Sequence, residues 1–226
     1  MILRLSLLFA SLALFVGCQT TPWPLRLLQR PERTTYRTAE MRMDAVREFR
    51  AKSTGVDTPE QREIVNQLAR QIQVEPDPLV REAIVDTIAE FRTPLAAQVL
   101  EAGLSDEDLH VRRHCCQALG KRGDPAAVPV LARAINAEQD LQVRVAAVEA
   151  LGRINSPDAY TALAVAMEDR NPAMQYAGVE SMKQISGKDL GNDVSTWLQY
   201  ARGETPTRKA EEEISIARRI RGLTPF

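Results

Sequence analysis

Asp108-Leu109-His110-Val111-Arg112-Arg113-His114-Cys115-Cys116-Gln117-Ala118-Leu119-Gly120-Lys121-Arg122-Gly123-Asp124-Pro125 is the stretch on which the fold turns. Asp108 stands where a helix N-cap belongs, its side chain placed to accept from the unpaired amides of the first turn. Val111, Cys115 and Leu119 then recur every four residues, the spacing of one buried helical stripe. A glycine-bearing turn follows, and Pro125 opens a second segment, at a position where its missing N–H has no partner to lose.

The stretch is one copy of a repeat. Asp77-Pro78-Leu79-Val80-Arg81 precedes it, Asp140-Leu141-Gln142-Val143-Arg144 follows, and Asn171-Pro172-Ala173-Met174-Gln175 is a degenerate fourth copy, at spacings of 31, 32 and 31 residues. Ile88, Leu119, Leu151 and Met182 share one column, and Val85, Cys116, Val148 and Val179 another. Pro94, Pro125 and Pro157 each start a partner segment, with Leu100, Leu131 and Leu163 six residues on. Leu68-Ala69-Arg70-Gln71-Ile72 also matches Leu131-Ala132-Arg133-Ala134-Ile135 without gaps, two periods apart. Two short amphipathic helices cannot bury their stripes alone, whereas stacked pairs can. The expected fold is therefore all-α: an α-solenoid of about four to five short helix pairs with capping helices at both ends.

The Asp-x-x-Val-Arg start, the turn from Ala118 to Pro125 and the period near 31 resemble HEAT repeats, in the short form called PBS-lyase HEAT-like. The likeness weakens at Phe91-Arg92-Thr93 in the first unit and at Gln175 in the fourth. It implies a structural hydrogen-bond ladder between neighbouring repeats, built from Asp77, Asp108 and Asp140 with Arg81, Arg112 and Arg144. It also implies that the exposed face of each second helix lines a concave surface. There Glu82, Arg113, Val145 and Tyr176 form one row and Asp86, Gln117, Glu149 and Glu180 another, a candidate surface for an extended protein partner. A bilin-lyase-like enzyme is the alternative that the repeat type suggests, and a structural cell-wall-associated component is a third reading.

The 226 residues are 44% hydrophobic and 5% aromatic, with a net charge of −1. Dominance of Ala, Leu, Val and Ile favours helix on helix, and the near-neutral balance argues against a nucleic-acid partner. Residues 19–55 carry eight basic and four acidic side chains, whereas 56–107 carry four and eleven. That contrast predicts a basic end followed by acidic first repeats suited to a basic partner.

The amino terminus reads as an address. Arg4 precedes the uncharged run Leu5 to Val16, a secretory signal pattern too short to span a bilayer. Its end, Leu14-Phe15-Val16-Gly17-Cys18, resembles the lipobox of bacterial lipoproteins, with Phe15 where Leu is usual. The resemblance implies cleavage before Cys18, diacylglycerol on its thiol and, with Gln19 following, the outer membrane rather than the inner. The expected organisation is a signal at 1–17, a Pro-rich membrane-proximal tether at 18–35, and a capping helix at 36–56 carrying Met43, Val46 and Phe49. HEAT-like repeats follow at 57–187. A cap with Trp197 and Tyr200 and a final helix over 207–221 make up 188–226. The partner would then be another exported or envelope protein.

No catalytic residue, metal site or cofactor is expected. His110 and His114 lie four apart with Cys115 alongside, a spacing that can serve a metal, yet no further ligand is evident in sequence and other repeats place Ala83, Ala146 and Ala177 in the His114 column. Cys115 and Cys116 read as small buried hydrophobes, since adjacent residues on a helix point their Cβ vectors apart. Asp86, Glu149 and Glu180 recur at one helical position, as a solvated ridge does.

Overall fold

Polar caps set where each helix begins. In the computed structural model, which describes residues 38–205, Asp77, Asp108, Asp140 and Asn171 accept from Leu79, His110, Gln142 and Ala173 amides at 2.8–3.0 Å. Thr38, Thr58, Thr93, Ser156 and Asp193 cap other helices in the same way. Each such cap is worth about 1 kcal/mol relative to Ala.

Ten α-helices result among the described residues: α1 (Ala39–Arg50), α2 (Pro59–Val74), α3 (Pro78–Ile88), α4 (Pro94–Gly103), α5 (Leu109–Arg122), α6 (Val128–Ala137), α7 (Leu141–Leu151), α8 (Pro157–Met167), α9 (Pro172–Ser186) and α10 (Val194–Ala201). A single 3-10 turn, Pro125–Ala127, leads into α6. The described residues contain no strand.

The helices form two layers. Odd-numbered helices α1, α3, α5, α7 and α9 each pack on the next, while α2 lies against α4, α6 against α8 and α8 against α10. Pairs α2–α3, α4–α5, α6–α7 and α8–α9 are complete. The described residues thus form an α-solenoid of four whole pairs, with α1 added to the odd layer before the first pair and α10 to the even layer after the last. The columns read from sequence supply the core: Val85, Cys116, Val148, Val179, Ile88, Leu119, Leu151, Met182, Leu100, Leu131 and Leu163 are all buried. At the ends, Val46 of α1 and Trp197 of α10 are fully buried, and Trp197 Nε1 donates to Gly191 O at 2.8 Å.

Two glycines make the central stack possible. A Cβ on Gly120 would lie 2.6 Å from Ala150 Cα, so α5 and α7 touch backbone to backbone. Gly123, at φ 67°, ends α5 in the left-handed conformation that a side chain disfavours. The expected signal, tether and final helix lie outside the described residues, as do positions 36 and 37 of the expected N-terminal cap.

Candidate functional site

The expected ladder exists with different rungs. Asp77, Asp108 and Asp140 cap their own helices, and Asp108 and Asp140 attract the preceding repeat's Arg81 and Arg112 only through space, with no side-chain hydrogen bond to them. The arginines instead reach forward to an acid two residues before the next cap. Arg81 grips Asp106 at 2.8 and 3.0 Å, and Arg112 grips Glu138 at 2.8 and 3.3 Å. Arg144 pairs with Asp169. Arg42 of α1 makes the same fork to Glu75 at 2.8 and 3.0 Å, a rung that had not been read from the sequence.

Each acid also accepts from the backbone amide of the cap that follows: Asp77, Asp108, Asp140 and Asn171 donate to Glu75, Asp106, Glu138 and Asp169 at 2.7–3.1 Å. The signal was present as an acidic column with the repeat's own spacing. Gln175 keeps only half of the arginine's role, donating back to Asp169 O at 2.8 Å, as Arg112 does to Asp106 O.

Two of these rungs favour the charged form of their carboxylate. For Glu138, burial pushes the pKa up, but hydrogen bonds from Arg112 and the following amides outweigh it, and the net shift is down. Asp169 is lowered by the Asn171 amide first and Arg144 second.

The two rows predicted for the odd-layer face differ in exposure. Asp86, Gln117, Glu149 and Glu180 are all exposed. In the other row only Tyr176 is, at 67%, while Glu82, Arg113 and Val145 are half-buried. Arg113 donates to Gln142 Oε1 at 3.3 Å, and its buried Nε has no hydrogen-bond partner. A packed neighbour, rather than solvent, therefore surrounds much of that row.

Two depressions follow the face. One of about 730 Å³ lies between α7 and α9, where Val145, Glu149, Tyr176 and Glu180 are joined by Arg153 and Lys183. Glu180 is engaged by Lys183 at 2.8 Å, whereas Glu149 forms no ion pair with a described residue. The second, about 460 Å³, lies between α3 and α5 and includes Asp86, His114, Gln117, Lys121 and Arg153. Arg153 borders both.

Several acids of the first repeats are engaged by cations. Arg42 takes Glu75, Arg62 takes Asp57, and Arg50 and Lys121 share Glu90. Arg81 takes Asp106 and Glu107. His114 stands between Glu82 and Asp86 of α3, carboxylates that sequence spacing had not placed within its reach. Among the described residues no group of three or more His, Cys, Asp or Glu is arranged to hold a metal ion. Burial raises the Cys115 thiol far above its usual range and pushes Cys116 to about 12. Both thiols thus remain protonated and packed.

A two-layer array of helix pairs, bound repeat to repeat by arginine–carboxylate rungs, is the architecture of an α-solenoid repeat protein. The model of the family described as HEAT repeats matches residues 63–149 and 134–215. The chain belongs to the HEAT-repeat family.

No curated protein matches the chain. Among solved structures it is similar to human deoxyhypusine hydroxylase in complex with glycerol, at 25% identity and a TM-score of 0.51 over 55% of this chain. The match spans 44% of the hydroxylase chain, less than half of it. It is also similar to the complex of CpcE and CpcF of phycocyanin lyase from Nostoc sp., at 20% identity and a TM-score of 0.46 over 71% of this chain and 98% of that one.

Proposed function

We propose that this protein is a membrane-tethered adaptor, a lipid on Cys18 holding a HEAT-repeat array whose odd-layer face captures another exported protein. The observation that carries the reading is Tyr176: a large aromatic side chain 67% exposed beside Val145 and Glu149, at a depression of about 730 Å³. Aromatic side chains are enriched among the residues that dominate protein interfaces. The family supports the same reading, because stacked repeats offer extended surfaces for partners. Buried, protonated thiols at Cys115 and Cys116 favour binding over thiol catalysis.

The lipobox-like run ending at Cys18 supports attachment. Acyl chains contribute about 0.8 kcal/mol per buried methylene, so two or three anchor a protein durably, and tethering raises the local concentration of whatever the array holds. The outer membrane is the proposed location, with the array facing the periplasm.

Crosslinking with mass spectrometry in intact cells tests both halves. Tyr176→Ala with Glu149→Arg should remove the partner crosslinks without lowering the melting temperature, and Cys18→Ser should move the protein from the membrane to the soluble fraction. Crosslinks unchanged in the double variant would clear this face of a role. A wild-type chain found soluble with an unmodified Cys18 would end the tethering half.

A further inference from the structure

Position 114 departs from its repeat. Ala83, Ala146 and Ala177 fill the same column, where a methyl group suffices for packing. His114 instead reaches from α5 across to α3, with Nδ1 3.0 Å from Asp86 Oδ1 and Nε2 3.4 Å from Glu82 Oε2. Its side chain is 23% exposed, Glu82 is 18% exposed and Asp86 49%. The three groups therefore meet at the junction of two helix pairs, partly shielded from water.

We infer that His114 is a proton-operated clasp between the first two helix pairs, closed on Glu82 and Asp86 when the imidazole is charged and opened when it is neutral. A neutral imidazole has one N–H and can donate to only one of the two carboxylates, whereas imidazolium donates to both. Glu82 and Asp86 sit four apart on one helix, a spacing at which like charges repel. The imidazolium lies between them and cancels that repulsion. Loss of the proton restores it and leaves Asp86, the more exposed carboxylate, without a cation.

The surrounding charges leave the device intact. Arg113, adjacent on α5, opposes the imidazolium charge. Arg50, Glu90, Lys121 and Arg153 line the same depression, but Glu90 is taken by Arg50 and Lys121. On balance the Asp86 hydrogen bond, against the cost of burial and with further attraction from both carboxylates, raises the His114 pKa above its ordinary 6.5. A raised folded-state value means that the clasp's stabilisation is complete below the ordinary value and disappears as pH rises through the folded one. The clasp acts within the array and stands whether or not the odd-layer face binds a partner.

Proton NMR of the full mature chain tests it directly, because the sequence holds only two histidines and His110→Gln assigns them. His114 should titrate above a free imidazole, and Glu82→Gln with Asp86→Asn should return it to the ordinary range. His114→Ala should fold, since alanine occupies the column elsewhere. The melting temperature of the wild type should exceed that of His114→Ala at pH 5.5, and this lead should shrink by a few degrees at pH 8.5. Titration at or below the free value, or a lead independent of pH, would overturn the clasp.

Discussion

Arg112 carries two tasks with one guanidinium. It satisfies carbonyls of its own loop, Asp106 O at 2.8 Å and Glu107 O at 3.1 Å, and forks onto Glu138 of the next repeat. The pair is largely shielded, with side chains 18% and 13% exposed, so removing one partner strands donors or acceptors in partial burial. Glu138→Ala should therefore cost about 1–3 kcal/mol, read as a lower urea midpoint. An unchanged midpoint would reduce the ladder to decoration. The pH dependence has a defined sign. Folded-state pKa values of Glu138 and Asp169 lie below their ordinary ones. The rungs therefore stabilise the fold fully above the ordinary carboxylate range and lose that contribution as acid protonates the folded form.

At the level of the helix, spacing between neighbours is decided by the smallest side chains. Gly120 faces Ala150, and Gly152 faces Ser181, with a hypothetical Cβ at 2.6 Å and 2.7 Å from the nearest atoms. Alanine is the better helix former by about 1 kcal/mol. Gly120→Ala should nonetheless destabilise, by about 1–3 kcal/mol, because the obstacle is the backbone of α7 and cannot rotate away. Thermal unfolding followed by circular dichroism decides the sign, and a raised melting temperature would mean that α5 and α7 separate at little cost. Just after α3 the corresponding residue is Ala89, the C-cap, buried at 7% exposure, so α3 and α5 meet without the glycine contact. That junction is the one bridged by His114.

For the whole molecule, the vulnerable parts are the ends, because a repeat stack exposes an apolar side wherever it stops. α1 covers one such side with Val46, and it anchors there through Arg42 on Glu75, Arg50 on Glu90, and Ser53 Oγ donating to Glu90 O at 2.7 Å. A chain starting at residue 54 should bind a hydrophobic dye and melt at a lower temperature than one starting at residue 36. Equal melting without dye binding would show that α1 rests on the array without closing it. The even layer ends differently: Trp197 packs edge-on to Tyr200, with ring centroids 5.8 Å apart, and Tyr200 meets Tyr160 in turn.

The sequence by itself determined the helical repeat, its period, its caps and the apolar columns of its core, because each is a local property: a cap bonds within one turn, and a stripe follows from 3.6 residues per turn. Tertiary structure alone decided which residues meet across repeats. The acidic column Glu75, Asp106, Glu138 and Asp169 was visible as a pattern, but nothing local distinguished it from the capping aspartates two residues away. The encounter of His114 with Glu82 and Asp86 was hidden for the same reason. Contacts some thirty residues apart depend on how far one helix slides along the next, and that offset is set by packing of the array, down to single glycines such as Gly120.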